Sequence, residues 1–377
     1  MKRTIKIIIL IEILIIIFLP QKAVAEDGSE YGPDSLEYYD FSGIDNVMDD
    51  EEFDFGETVR LFFSGDIDTS LTGVGKAILN ALFSELSAQR ELIIKVIIIG
   101  VIAALFTNVA TAFLSGNISD TGFYITFMLL MGTLMTGYVV TANLVAEAMD
   151  SLLEFMEAIV PVYTLSVGFS TGQSSAAAFY QIISIVIVII QKLLKDFILP
   201  MIYIFMVFNF INNITEGNVF TRICELLKTV IEWILKALLS CVIGINIIQS
   251  MINPIMDSIK SSALGKAASM IPGVGGVLTS VSGLVLSSGT LIKNSIGMAA
   301  MTAVVVLCFI PVVKVIVMSV GYKLAGAILE PVSDKRIVNS VNGIYESMVL
   351  LAKTLLYGIV FFLLTMAIIC YSTNQAV

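Results

Sequence analysis

GFYITFMLLMGTLMTGYVVTANLV, Gly122–Val145, runs for 24 residues without one charged side chain. At 1.5 Å per residue a helix of that length covers about 36 Å, more than the ~30 Å hydrocarbon core of a bilayer. Comparable runs lie on both sides of it: Leu92–Leu114, Ala176–Ile190 with its flanks, Phe197–Ile214, the stretch leading to Ile252, Ala267–Ile292, Ile296–Leu329 and Met348–Tyr371. Of the 377 residues 57% are hydrophobic and only 14% charged, and mean hydropathy is +0.94. Soluble domains carry about 25% charged residues. The apolar excess is too large for one core. The expected fold is an all-α polytopic integral membrane protein, with about six to eight transmembrane helices plus amphipathic interfacial helices.

Working outward, the amino-terminal quarter is different in kind. Residues 1–25 hold Lys2, Arg3, Lys6 and Lys22 against Glu12, and place the apolar run Ile7–Leu19 before Pro20 and Ala23-Val24-Ala25. That order is the pattern of a cleavable signal peptide, with an uncleaved signal anchor as the alternative, and either delivers the chain from Glu26 onward outside the cytoplasm. Residues 26–91 carry seventeen acids against three bases, a net charge of −14, whereas the whole chain has −10. This acidic extracytoplasmic segment repels nucleic acid and anionic lipid alike. Up to about Ser70 its composition is that of a loosely ordered tail, in which Tyr38, Tyr39, Phe41, Phe53 and Phe55 are candidates to dock on a partner. Val74, Ala77, Ile78, Ala81, Leu82 and Leu86 then share one helical face, so the segment is expected to end in an amphipathic helix. Residues 92–377 form the multi-span helical membrane domain.

Polar breaks divide that domain. Glu147, Asp150, Glu154 and Glu157 make an acidic amphipathic stretch ended by Pro161, and Val219–Leu235 is a second amphipathic helix bearing both signs of charge. Lys314, three residues after Pro311, divides the long run Ile296–Leu329 into a span to Val313 and an interfacial helix beyond it, since a lysine at mid-bilayer costs ~2.5–3.5 kcal/mol. With residues before Leu92 outside, the base-free 146–173 connection also lies outside. Lys192, Lys195, Lys260, Lys266, Lys335 and Arg336 fall inside, as the positive-inside bias requires.

Few residues point to chemistry. The chain contains no histidine, and Cys224, Cys241, Cys308 and Cys370 are far apart, so no catalytic, cofactor-binding or metal-binding residues are assigned and no cofactor is expected. Ala103, Thr107, Thr111 and Ser115 recur every fourth residue, a small-residue face suited to close helix packing within the chain or to self-association into a homo-oligomer. Asn246, Gln249 and Asn253 share a face, as do Asn209, Asn212 and Asn213; such amides line a cavity or bond between helices. Pro272, Gly273, Gly275 and Gly276 mark either a buried structural bend or a solvated loop.

Three stretches carry a resemblance. GKAASMIPGVGG (Gly265–Gly276), LIKNSIG (Leu291–Gly297) and EPVSDKRIV (Glu330–Val338) resemble, in that order, the signature region of the stage III sporulation protein AE family, and the likeness runs roughly from Val74 to Tyr371. The glycine-rich stretch is not a phosphate loop, because it lacks the G-x-x-x-x-G-K-[ST] spacing. The resemblance implies a subunit of the mother-cell membrane around the forespore. It further implies partners among the other membrane subunits of the same operon, an ATPase-like subunit and a forespore membrane protein across the intermembrane space. Together they would form a secretion-like channel complex needed for endospore development and late forespore gene expression. The expected protein is therefore a non-enzymatic membrane subunit set in the lipid bilayer, with no nucleic-acid partner. A stand-alone transporter or permease is the alternative, although neither a buried charged pair nor an inverted repeat is visible.

Overall fold

The structure is a computed structural model that describes residues 36, 39–48, 54–64, 90–91, 94–95, 97–102, 105, 116–171, 174–214, 219–268 and 275–374; side-chain surroundings are described within these except at 116–123, 126, 171, 174–179, 246, 249–268, 275–287 and 371–374. Among the described residues every regular element is a helix. Two short helices come first, α1 (Ser42–Met48) and α2 (Phe55–Ser64). Among the described residues six long ones follow: α3 (Gly116–Thr171), α4 (Ser174–Leu193), α5 (Leu199–Ile214), α6 (Thr221–Ala268), α7 (Gly275–Leu329) and α8 (Lys335–Asn374).

Several expected breaks are absent. Pro161 sits inside α3 and Pro311 inside α7, and both helices continue through them. A proline removes one backbone donor and costs roughly 3 kcal/mol in a solvated helix, but packed neighbours and hydroxyl side chains offset this in apolar surroundings. Beside the first site the Thr164 hydroxyl donates to the Val160 carbonyl at 2.6 Å. Lys314 likewise leaves α7 unbroken, and it is only half-buried. The spans expected at Ala176–Ile190 and Phe197–Ile214 are one continuous rod. A π-turn, Leu194–Ile198, joins α4 to α5, with the Leu199 amide bonded back to the Leu194 carbonyl, and Pro200 comes next. A π-turn accommodates one extra residue where a proline has interrupted the regular ladder.

The long helices run side by side, and cross-helix pairs give their register. Gly289 lies against Ser170 and Gly297 against Tyr163, so α3 and α7 are antiparallel. Phe155 meets Phe362 and Tyr163 meets Cys370, so α3 and α8 are parallel. Gln191 meets Gly358 and Asn209 meets Gly343, which sets α4 and α5 antiparallel to α8. The α7–α8 hairpin closes at Glu330–Asp334, where Gly100 of the preceding segment packs on Leu329. The core includes Leu130, Tyr138, Phe155, Ile296, Ala303, Leu351 and Phe361, all essentially inaccessible.

Large apolar side chains also cover the outside. Leu129, Phe169, Ile182, Leu226 and Trp233 are more than half exposed. Soluble proteins rarely show contiguous apolar surface of this extent. Among the described residues three helices are long and apolar enough to cross a membrane, over Phe127–Ser170 in α3, Ser288–Leu329 in α7 and Lys335–Cys370 in α8.

The acidic segment is more ordered than its composition suggests. Asp40 caps α1 by accepting from the Ser42 amide and hydroxyl, and these bonds hold its carboxyl below the usual carboxylate range. Asp54 caps α2, accepting from the Glu57 amide at 2.7 Å, in the D-x-x-E pattern of a capping box. Asp45 accepts from the Phe55 amide and ties the two helices together. Phe41 stacks obliquely on Phe55, which is fully buried against Phe155 of α3. Phe41 and Phe55 thus dock on the chain's own bundle rather than on a separate partner. The signal-peptide residues and the amphipathic helix from Val74 lie outside the described residues.

Candidate functional site

Inside the bundle the signature stretch Leu291–Gly297 meets the end of α8 and the last turns of α3. Lys293 is completely buried, with the Cys370 thiol in electrostatic reach of its amine. The Cys370 sulfur and the Tyr163 hydroxyl are 3.0 Å apart. Tyr163 and Tyr180 pack edge to face at 4.9 Å between ring centres, and the Tyr180 hydroxyl points at the Met366 sulfur, 4.0 Å away. Glycine makes this density possible. A Cβ on Gly297 would stand 2.6 Å from the Cys370 sulfur and 3.2 Å from the Tyr163 hydroxyl, and a Cβ on Gly289 would stand 2.9 Å from the Ser170 Cα. Nearby hydroxyls turn to their own helices: Ser166 donates to the Tyr163 carbonyl and Ser295 to that of Leu291.

The cluster therefore joins one amine, two phenols and a thiol on four helices. A buried amine is expensive in an apolar bundle, and its polar neighbours offset part of that cost. The costly lysine is Lys293, not Lys314. Its position among Leu291, Ile292 and Ile296 was the available sequence signal, an isolated charge inside an apolar helical face.

A second polar feature is a belt of ion pairs between helices, spread along the bundle. Lys195 bonds to Asp150, Lys192 lies 3.5 Å from Glu157, Lys353 lies 2.6 Å from Glu232 and Lys228 lies 3.1 Å from Glu346. Gln191 donates to the Gly358 carbonyl at 2.7 Å. These charged side chains are a quarter to a half exposed, so each pair contributes no more than about 1 kcal/mol. Their worth is positional. Glu157 with Lys192, and Asp150 with Lys195, share one level of the bundle, which corrects the expectation that the acids and the lysines lie on opposite faces of the membrane. The ion pairs between helices were invisible in the sequence because their members are 35 to 121 residues apart.

The residues singled out from the sequence scatter over the chain. Ala103, Thr107, Thr111 and Ser115 lie outside the described residues, as do Pro272 and Gly273. Gly275 and Gly276 are the first two residues of α7. Asn246, Gln249 and Asn253 are in α6, with their side-chain surroundings outside the description. Asn212 is placed: it accepts from the Phe220 amide at 2.8 Å and donates to the Thr221 hydroxyl at 3.1 Å, holding the turn between α5 and α6. Among the described residues no three His, Cys, Asp or Glu side chains are grouped to hold a metal ion.

The family model for stage III sporulation protein AE matches residues 53–373. A curated relative, Stage III sporulation protein AE of Bacillus subtilis (strain 168), is 24% identical over 314 residues, covering 83% of this chain and 79% of the relative. No solved structure matches. The matched region takes in the docked helix α2, the charged belt and the Lys293 cluster, and on that match the chain belongs to the stage III sporulation protein AE family.

Proposed function

We propose that the protein is a non-enzymatic, multi-pass subunit of the secretion-like channel complex between mother cell and forespore, required for endospore development and late forespore gene expression. Family membership over residues 53–373 is the observation that carries this reading. It sits in the mother-cell membrane around the forespore, with other membrane subunits of its operon, an ATPase-like subunit and a forespore membrane protein as partners. Residues 1–25 act as a signal peptide and leave the acidic segment extracytoplasmic. Six crossings suit the chain: the apolar run Leu92–Leu114 and the long helices α3, the α4–α5 rod, α6, α7 and α8. The apolar outer surface supports lipid contact along these rods.

Isolation of the tagged protein from sporulating cells, in mild detergent, tests the assembly. The other operon subunits, including the ATPase-like one, are expected to co-purify in fixed ratio. Recovery of the protein alone, from cells whose forespores still develop, would overturn the reading in favour of a stand-alone transporter.

A further inference from the structure

A layer of neutral polar groups crosses the inside of the bundle at the level of the half-exposed Lys228–Glu346 pair, the end of the charged belt nearest the α7–α8 turn. On α3, Tyr138 packs edge to face on Tyr203 of α5, with ring centres 5.5 Å apart. Two turns along α5, the Asn209 side chain lies against Gly343 of α8, so close that a Cβ there would stand 2.7 Å from its Oδ1. The adjacent Asn342 lies against Gly326 of α7, and Tyr322 is one turn before Gly326. The α3–α7 register, with Gly289 at Ser170 and Gly297 at Tyr163, carries Tyr322 to the level of Tyr138. Four helices thus bring two tyrosines and two asparagines to one layer.

The two phenol hydroxyls are the unusual part. Tyr138 and Tyr322 are 0% and 1% exposed, and neither hydroxyl has a hydrogen-bond partner in the protein. A buried hydroxyl left unpaired suffers the full loss of its hydration, and almost all such groups in folded proteins are bonded to protein or to ordered water.

We infer that this layer is an internal hydration site, in which bound water satisfies the Tyr138 and Tyr322 hydroxyls. The surroundings set the ligand class. Phenols and amides both donate and accept, as water does. The nearest cation of α7, Lys323, is exposed and turned over the Tyr345 ring at 4.8 Å. Full burial of both tyrosines excludes a peptide or any larger solute.

X-ray radiolysis of the full-length protein in nanodiscs, with oxygen-18 water and peptide mass spectrometry, tests this directly, because radicals formed from bound water oxidise adjacent side chains. Tyr163 is the control, equally buried but bonded to Cys370. Tyr138 and Tyr322 are expected to be labelled at least five-fold faster than Tyr163. Equal rates would overturn the proposal. Tyr138→Phe and Tyr322→Phe provide a second reading. Loss of a water-bound hydroxyl lowers the Tm, whereas loss of an unpaired one leaves it unchanged or raises it, and the latter result would equally overturn the site.

Discussion

Single glycines set how close the helices come. Gly289 faces the Ser170 backbone, which cannot rotate away, whereas Gly132 on α3 has nothing within 4 Å of where a Cβ would be. The same substitution should therefore have opposite signs at the two sites. Gly289→Ala is expected to destabilise by about 1–3 kcal/mol, the usual cost of overpacking. Gly132→Ala should stabilise by up to about 1 kcal/mol through helix propensity alone. Thermal unfolding of both variants in one detergent checks this, and a stabilising Gly289→Ala would refute the close α3–α7 contact. The lysines teach a related lesson. Their charge is visible in the sequence, but Lys293 is buried, Lys314 half-buried and Lys323 exposed along the same helix. Which face each occupies depends on the neighbours of α7.

At the scale of the element, the acidic segment divides into a described, docked part and a remainder. Asp54 and Glu57 are legible as a cap in any helix-start search, so α2 was open to sequence reasoning; the run of acids around them pointed instead to a solvated tail. What orders α1 and α2 is the landing site for Phe55 on Phe155, about a hundred residues away in the chain. Phe55→Ala removes a fully buried ring and is expected to cost the docked state about 3–5 kcal/mol. Limited proteolysis should then cut the chain near residues 42–64 while α3 to α8 stay intact. Unchanged protection would mean that other contacts hold the pair. The same dependence on neighbours accounts for the unbroken helices. Proline carries a strong stop signal in water, yet α3 and α7 continue through Pro161 and Pro311, as packed apolar surroundings allow.

At the scale of the molecule, the belt makes a prediction about topology. Glu157 and Lys192 are an ion pair, each about half exposed, so they belong to the same compartment. In a cysteine-free background, Glu157→Cys and Lys192→Cys are expected to react alike with a membrane-impermeant thiol reagent added from one side. Opposite sidedness of the two positions would separate the α3–α4 hairpin that the structure joins.

Composition and hydropathy alone determined that this chain is helical and bound for a membrane, because the period and length of apolar runs are local properties that any helix must obey. The family, too, was legible in short stretches, Leu291–Gly297 among them. Tertiary structure decided where helices continue through proline, which lysine is buried, that Phe55 docks on its own chain, and that Tyr138 and Tyr322 share a layer. Each of these depends on pairs of residues far apart in sequence, whose burial and hydrogen bonding exist only once the helices have packed.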